Sequence, residues 1–265
     1  MAQTISVGHA LDAMRGTAPL AHCITNFVAM NFTANVLLAA GASPAMIHAA
    51  EETHDFAAIA SALTVNIGTL SPPWVVGMRR AIDGAQQAGK PWVLDPVGHF
   101  ATPYRTGVAR ELLARGPTVL RGNASEIRAF SGATSGGRGV DAGDSVAAAE
   151  DAAREIARQR GAVVAVTGEV DFVTDGSRAA RVHGGHALMP QVTATGCALT
   201  GLTGAYVATV KDPFDATIAA LACFAAVGAQ AGAGASGPGS FSVRFLDALH
   251  ALDNEAVDAI RVETV

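Results

Sequence analysis

The sequence predicts an α/β fold, with a central, mostly parallel sheet flanked by helices on both faces. Short β-branched runs alternate with longer Ala-rich stretches along the chain, the pattern of βαβ units. Several of those runs end in polar or glycine-bearing turns, as expected where a parallel sheet presents its carboxyl edge to a ligand. Of the 265 residues 50% are hydrophobic but only 5% aromatic, so Ala, Val, Leu and Ile must build the core.

Seven runs read as strands, at residues 21–25, 62–67, 91–95, 118–122, 163–167, 171–174 and 181–184. Helical stretches include 31–40, 71–88, 145–160 and 197–209. The second strand runs into Asn66-Ile67-Gly68-Thr69, the third into Asp95-Pro96-Val97-Gly98, the fourth into Arg121-Gly122-Asn123 and the fifth into Thr167-Gly168. Four such turns on one edge indicate a site better than any one alone. The last two strands flank Thr174-Asp175-Gly176-Ser177, whose Asp-Gly pair predicts a hairpin. Residues 131–143, rich in Gly and Ser, read as a surface loop. Residues 215–235 are apolar enough for a membrane span, yet they are mostly Ala and Gly and follow Lys211-Asp212-Pro213. A buried helix is expected there, with no membrane partner. No repeat or linker divides the chain, so one domain over 1–265 is expected.

Net charge is −5 and no basic run occurs, which argues against a nucleic-acid partner. Cys23, Cys197 and Cys223 are far apart and share no metal-ligand spacing. The first residues show no basic stretch leading into an apolar core. A reduced, cytoplasmic protein is the expectation.

Chemistry concentrates in Thr193-Ala194-Thr195-Gly196-Cys197, just before an Ala/Leu-rich helix. The first amides of a helix lack intrahelical partners and favour anions, and a thiol there is expected to have a lowered pKa. Cys197 reads as a nucleophile served by His22, His99, His183 or His186, as inert filler, or as a neighbour of an anion-binding turn. Asn123 and Glu126, three residues apart, read as a magnesium site or as a helix capping box. Asp95 reads as a second metal-proximal carboxylate or as a turn residue bonding local amides. Arg121 would fork onto phosphate or lie on the surface. Thr167-Gly168 would approach a phosphate or merely end a strand.

Taken in order, these segments resemble the hydroxyethylthiazole kinase family, a branch of the ribokinase-like kinases. The resemblance rests on Pro19-Leu20-Ala21-His22-Cys23-Ile24-Thr25-Asn26, Asn31-Phe32-Thr33-Ala34-Asn35 and Gly41-Ala42-Ser43-Pro44-Ala45-Met46. It continues through the four strand-end turns, Val166-Thr167-Gly168-Glu169-Val170-Asp171 and Thr195-Gly196-Cys197. It implies a ribokinase-like fold and ATP-dependent phosphorylation of the primary alcohol of 4-methyl-5-(2-hydroxyethyl)thiazole in thiamine biosynthesis. Another small heterocyclic alcohol is the alternative acceptor. Further implied are Mg2+ and a homotrimer with active sites at subunit interfaces.

Carried over residue by residue, Asn26, Met46 and Gly68 resemble thiazole-pocket positions, with Ala194 beside them. Arg121 and Thr167 match ATP-contacting positions, next to Asn123 and Gly168, and Asp95 with Glu126 match the magnesium and phosphate region. Cys197 stands where most ribokinase-like sugar kinases carry a catalytic aspartate, so the resemblance implies a catalytic position there, with the thiol a modest proton acceptor at most. The amides of Thr195, Gly196 and Cys197 are expected to form an anion hole for the γ-phosphoryl group. Two departures stand out: Ala194 and Phe100 occupy positions where glycine is common in the family. The Ala194 methyl is expected to tighten the pocket, or to be accommodated if φ is negative.

Overall fold

Residues 6–132 and 145–265 are described by a computed structural model. The strands are β1 (Leu20–Ile24), β2 (Ser43–Ala45), β3 (Ala62–Asn66), β4 (Trp92–Asp95), β5 (Val119–Asn123), β6 (Val163–Thr167), β7 (Val170–Thr174), β8 (Ala179–His183) and β9 (Val262–Thr264). They form one sheet in the order β2-β1-β3-β4-β5-β6-β7-β8-β9. Pairing is parallel from β2 to β6 and antiparallel from β6 to β9. Strands β3 and β4 are buried at every residue, as expected for parallel strands covered on both faces.

The helices are α1 (Val7–Thr17), α2 (Met30–Ala40), α3 (Thr53–Ile59), α4 (Pro72–Gln87), α5 (Pro103–Ala114), α6 (Ala124–Phe130), α7 (Glu150–Arg160), α8 (Thr195–Val207), α9 (Pro213–Ala233), α10 (Pro238–Ala251) and α11 (Asn254–Asp258). Leu11, Val36, Leu37, Leu202, Phe224 and Phe245, from α1, α2, α8, α9 and α10, build the core on one side of the sheet. Trp74, Met78, Leu112, Ile127 and Ile156, from α4 to α7, build the other.

Local chemistry sets the helix ends. Pro72, Pro103, Pro213 and Pro238 open their helices, where the missing N–H costs nothing. Gly41 ends α2 at φ 100°, a left-handed cap that glycine adopts without a steric penalty. The apolar stretch near 215–235 is α9, which is mostly buried within the protein. The hairpin predicted at Asp175-Gly176 joins β7 to β8, and Asp175 Oδ1 accepts from the amides of Ser177 and Arg178.

All seven predicted strands are present, their ends displaced by at most two residues. The two strands that the alternation misses, β2 and β9, are three-residue strands at the two ends of the sheet. The helix read at 145–160 starts later, as a 3-10 turn over Ala147–Ala149 leading into α7. The predicted surface loop at 131–143 lies, from residue 133 on, outside the described residues.

Candidate active site

Parallel register aligns the strand ends. Asn66 is the Cα partner of Asp95 across β3–β4, and Asn123 that of Thr167 across β5–β6. Helix α8 brings its N-terminus to the same edge because small residues let it lie close to its neighbours. A Cβ on Gly204 would sit 2.4 Å from Thr64 Cγ2 of β3, and one on Gly201 would sit 2.7 Å from Thr33 Cγ2 of α2.

A chain of hydrogen bonds links the strand ends to α8. Asn26 Nδ2 donates to Asn66 Oδ1 at 2.9 Å and to Cys197 Sγ at 3.4 Å. Asn66 Nδ2 donates to Asp95 Oδ2 at 2.7 Å, and Thr200 Oγ1 donates to the same oxygen at 2.7 Å. Arg121 Nη1 lies 3.6 Å from that oxygen, while Nη2 donates to Thr167 Oγ1 at 2.6 Å. The guanidinium rests against α8, where a Cβ on Gly196 would be 2.9 Å from Nη1. The first bond of the α8 ladder runs from Ala198 N to Ala194 O. The amides of Thr195, Gly196 and Cys197 therefore precede the ladder.

Asp95 and Glu126 are both buried. Burial pushes both carboxyls above their ordinary range, and for Glu126 the charge of Asp95 adds to the effect. Glu126 accepts from Gly98 N through Oε1 and from Asn123 N through Oε2, while Asn123 Oδ1 accepts from Glu126 N. The pair is thus a complete capping box at the start of α6. Asp95 Oδ1 is buried with no hydrogen-bond partner among the described residues. Two buried carboxylates with one unpartnered oxygen fit a hydrated divalent cation, which keeps most of its waters. The described residues hold no cluster of three or more side chains of the metal-ligating type.

Several local expectations need correction. Asp95 does not bond neighbouring turn amides; its partners come from β3, β5 and α8. Arg121 is not a surface arginine, since its side chain is only 11% exposed. The Cys197 pKa is not lowered: burial, then the charge of Asp95, raises it to about 11 against the hydrogen bonds from Asn26 and Asn66. Desolvation outweighs the helix end. None of the four candidate histidine bases reaches the thiol with a hydrogen bond. His22 pairs with Ile47 O, His99 with Glu126 O and His183 with Glu263, while His186 accepts from Leu188 N.

The remaining candidates take their places around this network. Gly68 presses on Asn26, because a Cβ there would be 2.4 Å from Asn26 Nδ2. Met46 directly follows β2, the strand beyond β1, at the same sheet edge. Gly168 is exposed at the β6–β7 turn and donates its amide to Asp171 Oδ1.

A profile of the hydroxyethylthiazole kinase family matches residues 11–255. A hydroxyethylthiazole kinase of Rhizobium etli (strain CIAT 652) is 64% identical over 250 residues, covering 94% of this chain and 97% of that protein. One of Cereibacter sphaeroides (strain ATCC 17029 / ATH 2.4.9) is 62% identical over 251 residues, covering 95% of each. The chain belongs to the hydroxyethylthiazole kinase family. The solved hydroxyethylthiazole kinase of Pyrococcus horikoshii OT3 superposes with a TM-score of 0.90 at 42% identity, over 98% of both chains. The Staphylococcus aureus pyridoxal kinase, solved with ADP, shares the fold at TM-score 0.61 and 18% identity, over 80% of this chain and 87% of that one.

Within this hydroxyethylthiazole kinase fold the departure at Ala194 is visible as backbone strain. Ala194 has φ 67° and is one of two non-glycine residues with positive φ among the described residues, so the negative-φ accommodation does not occur. Phe100 lies in the 3-10 turn His99–Ala101 before α5, its ring edge-on to His99 at 6.0 Å. Sequence reasoning missed three residues of the network. Asn66 ends β3 in a strand-end turn, and nothing in its spacing marks it apart from its neighbours. Thr200 lies three residues after Cys197, a spacing that shares a helix face. Arg105 breaks a charge rule in the first turn of α5.

Proposed function

We propose that this protein transfers the γ-phosphoryl group of ATP to the primary alcohol of 4-methyl-5-(2-hydroxyethyl)thiazole, serving thiamine biosynthesis and salvage. The reading is carried by one observation, the meeting of Asn26 and Arg121 at the N-terminus of α8. A neutral hydrogen-bonding group lies on one side of that helix end and a fixed cation on the other. Such an end takes charge that develops on a transferring phosphoryl group.

Asn26, Met46, Gly68 and Ala194 border the alcohol, where a neutral heterocycle needs apolar surface and few polar contacts. Arg121, Asn123, Thr167 and Gly168 border ATP, with Arg121 pairing with phosphate oxygens. The amides of Thr195, Gly196 and Cys197 receive the transferring group. Cys197 acts as a neutral thiol in contact with Asn26. Asp95 and Glu126 are the residues that would hold Mg2+, which when bound screens the charge between phosphates. The reaction takes place within one domain over 1–265, in the cytoplasm. Three copies assemble with their sites at subunit interfaces, and exposed Phe27 and Val28, next to Asn26, support that assembly.

The test is direct. Purified protein with ATP, Mg2+ and the thiazole alcohol should yield ADP and phosphorylated thiazole in equal amounts. Absence of thiazole-dependent ADP, or faster turnover of a different heterocyclic alcohol, would refute the assignment.

A further inference from the structure

Arg105 is the third residue of α5, and its amide is capped by Thr102 Oγ1 at 3.3 Å. A cation in the first turn of a helix opposes the helix dipole. The side chain leaves the helix and binds four carbonyl oxygens instead. Nη2 donates to Ile67 O at 2.7 Å and also to Val97 O; Nη1 donates to Gly68 O at 2.7 Å and Nε to Gly98 O at 3.1 Å. These carbonyls belong to the loops that follow β3 and β4, so one guanidinium ties the two together.

Two of the bonded peptides have a second partner. The amide of the Ile67–Gly68 peptide donates to Asn66 Oδ1 at 2.9 Å, and that of the Val97–Gly98 peptide donates to Glu126 Oε1 at 2.9 Å. A cationic donor on a peptide carbonyl strengthens the N–H of the same peptide as a donor. Asn66 Oδ1 is also the acceptor for Asn26 Nδ2.

We propose that Arg105 is a positioning residue for the phosphoryl transfer: through two peptides it holds Asn66 on the alcohol side and Glu126 on the metal side in register. The inference rests on the kinase reading above. The fork is essential to it, because a lysine ammonium carries three donors on one atom and cannot reach four carbonyls that Arg105 bonds through three separate nitrogens.

The test compares wild-type protein with Arg105→Gln and Arg105→Lys. Both variants should raise KM for the thiazole alcohol and the Mg2+ concentration needed for half-maximal rate, and lower kcat/KM at least tenfold. Lysine should restore little. In ligand-free protein, the Gly68 and Gly98 amide protons should shift upfield and exchange at least tenfold faster, and a merely structural residue would not single out these two amides. Either folded variant with both amides unmoved, or with wild-type KM and Mg2+ dependence, overturns the proposal. If Arg105→Gln does not fold, Arg105→Lys decides alone. Inactive wild-type protein would instead refute the kinase reading.

Discussion

Ala194 shows how a single methyl group bears on the site. An L-residue in the left-handed region costs about 1–2 kcal/mol, partly offset because glycine loses more chain entropy on folding. Ala194→Gly should therefore raise the melting temperature by a few degrees, given about 2–4 °C per kcal/mol for chains of this order of size. An unchanged or lower melting temperature would show that the strain at this turn does not exceed the chain entropy that glycine costs. At Cys197 the pKa of about 11 leaves the group a neutral thiol well above pH 8. Iodoacetamide should label it on the order of a hundredfold more slowly than a free thiol at that pH, with the rate climbing toward pH 11 as thiolate forms. Labelling that saturates near pH 7 would mean an activated thiolate. Cys197→Ala should keep more than about a tenth of kcat, whereas loss of a nucleophile costs orders of magnitude more.

At the scale of the element, α8 is held close to the sheet by glycine. A methyl on Gly204 would overlap Thr64 Cγ2, and overpacking of this kind costs about 1–3 kcal/mol. Gly204→Ala should lower stability to denaturant by that amount. Adding Thr64→Ser, which removes the obstructing methyl and keeps the hydroxyl, should recover most of the loss. Failure to recover would show that the helix position does not depend on this contact. The same helix carries Thr200 to Asp95 Oδ2, so a shift in α8 disturbs the helix end and the carboxylate together. By spacing alone, Asn123 and Glu126 at the start of α6 fit either a magnesium site or a capping box. The capping box is formed, and both Glu126 oxygens already accept a backbone amide.

At the scale of the whole molecule, Phe27, Val28, Leu38, Ile59 and Val76 are large apolar side chains left exposed. Phe27, which directly follows Asn26, also packs on Trp74 at 4.9 Å. Light scattering should give three times the chain mass of 26.8 kDa. Phe27→Asp with Val28→Asp should release monomers. A wild-type monomer with full activity would refute the trimer and its shared sites.

The alternation of runs and the strand-end turns made the sheet, its two helical faces and the row of candidate residues legible. These features follow from local periodicity and from the rule that parallel strands end at one edge. The sequence by itself also determined the hairpin at Asp175 and the buried nature of α9. Only the tertiary structure decided which groups meet. It joined Asn66, Thr200 and Arg121 on Asp95 Oδ2, put Ala194 at positive φ and raised the Cys197 pKa where the helix end alone predicted a fall. The Asp95 network and the Cys197 pKa depend on burial and on contacts between residues far apart in sequence, 105 positions for Asp95 and Thr200 and 171 for Asn26 and Cys197. Desolvation and long-range hydrogen bonding act on the folded surroundings of a group, and sequence spacing does not encode those surroundings.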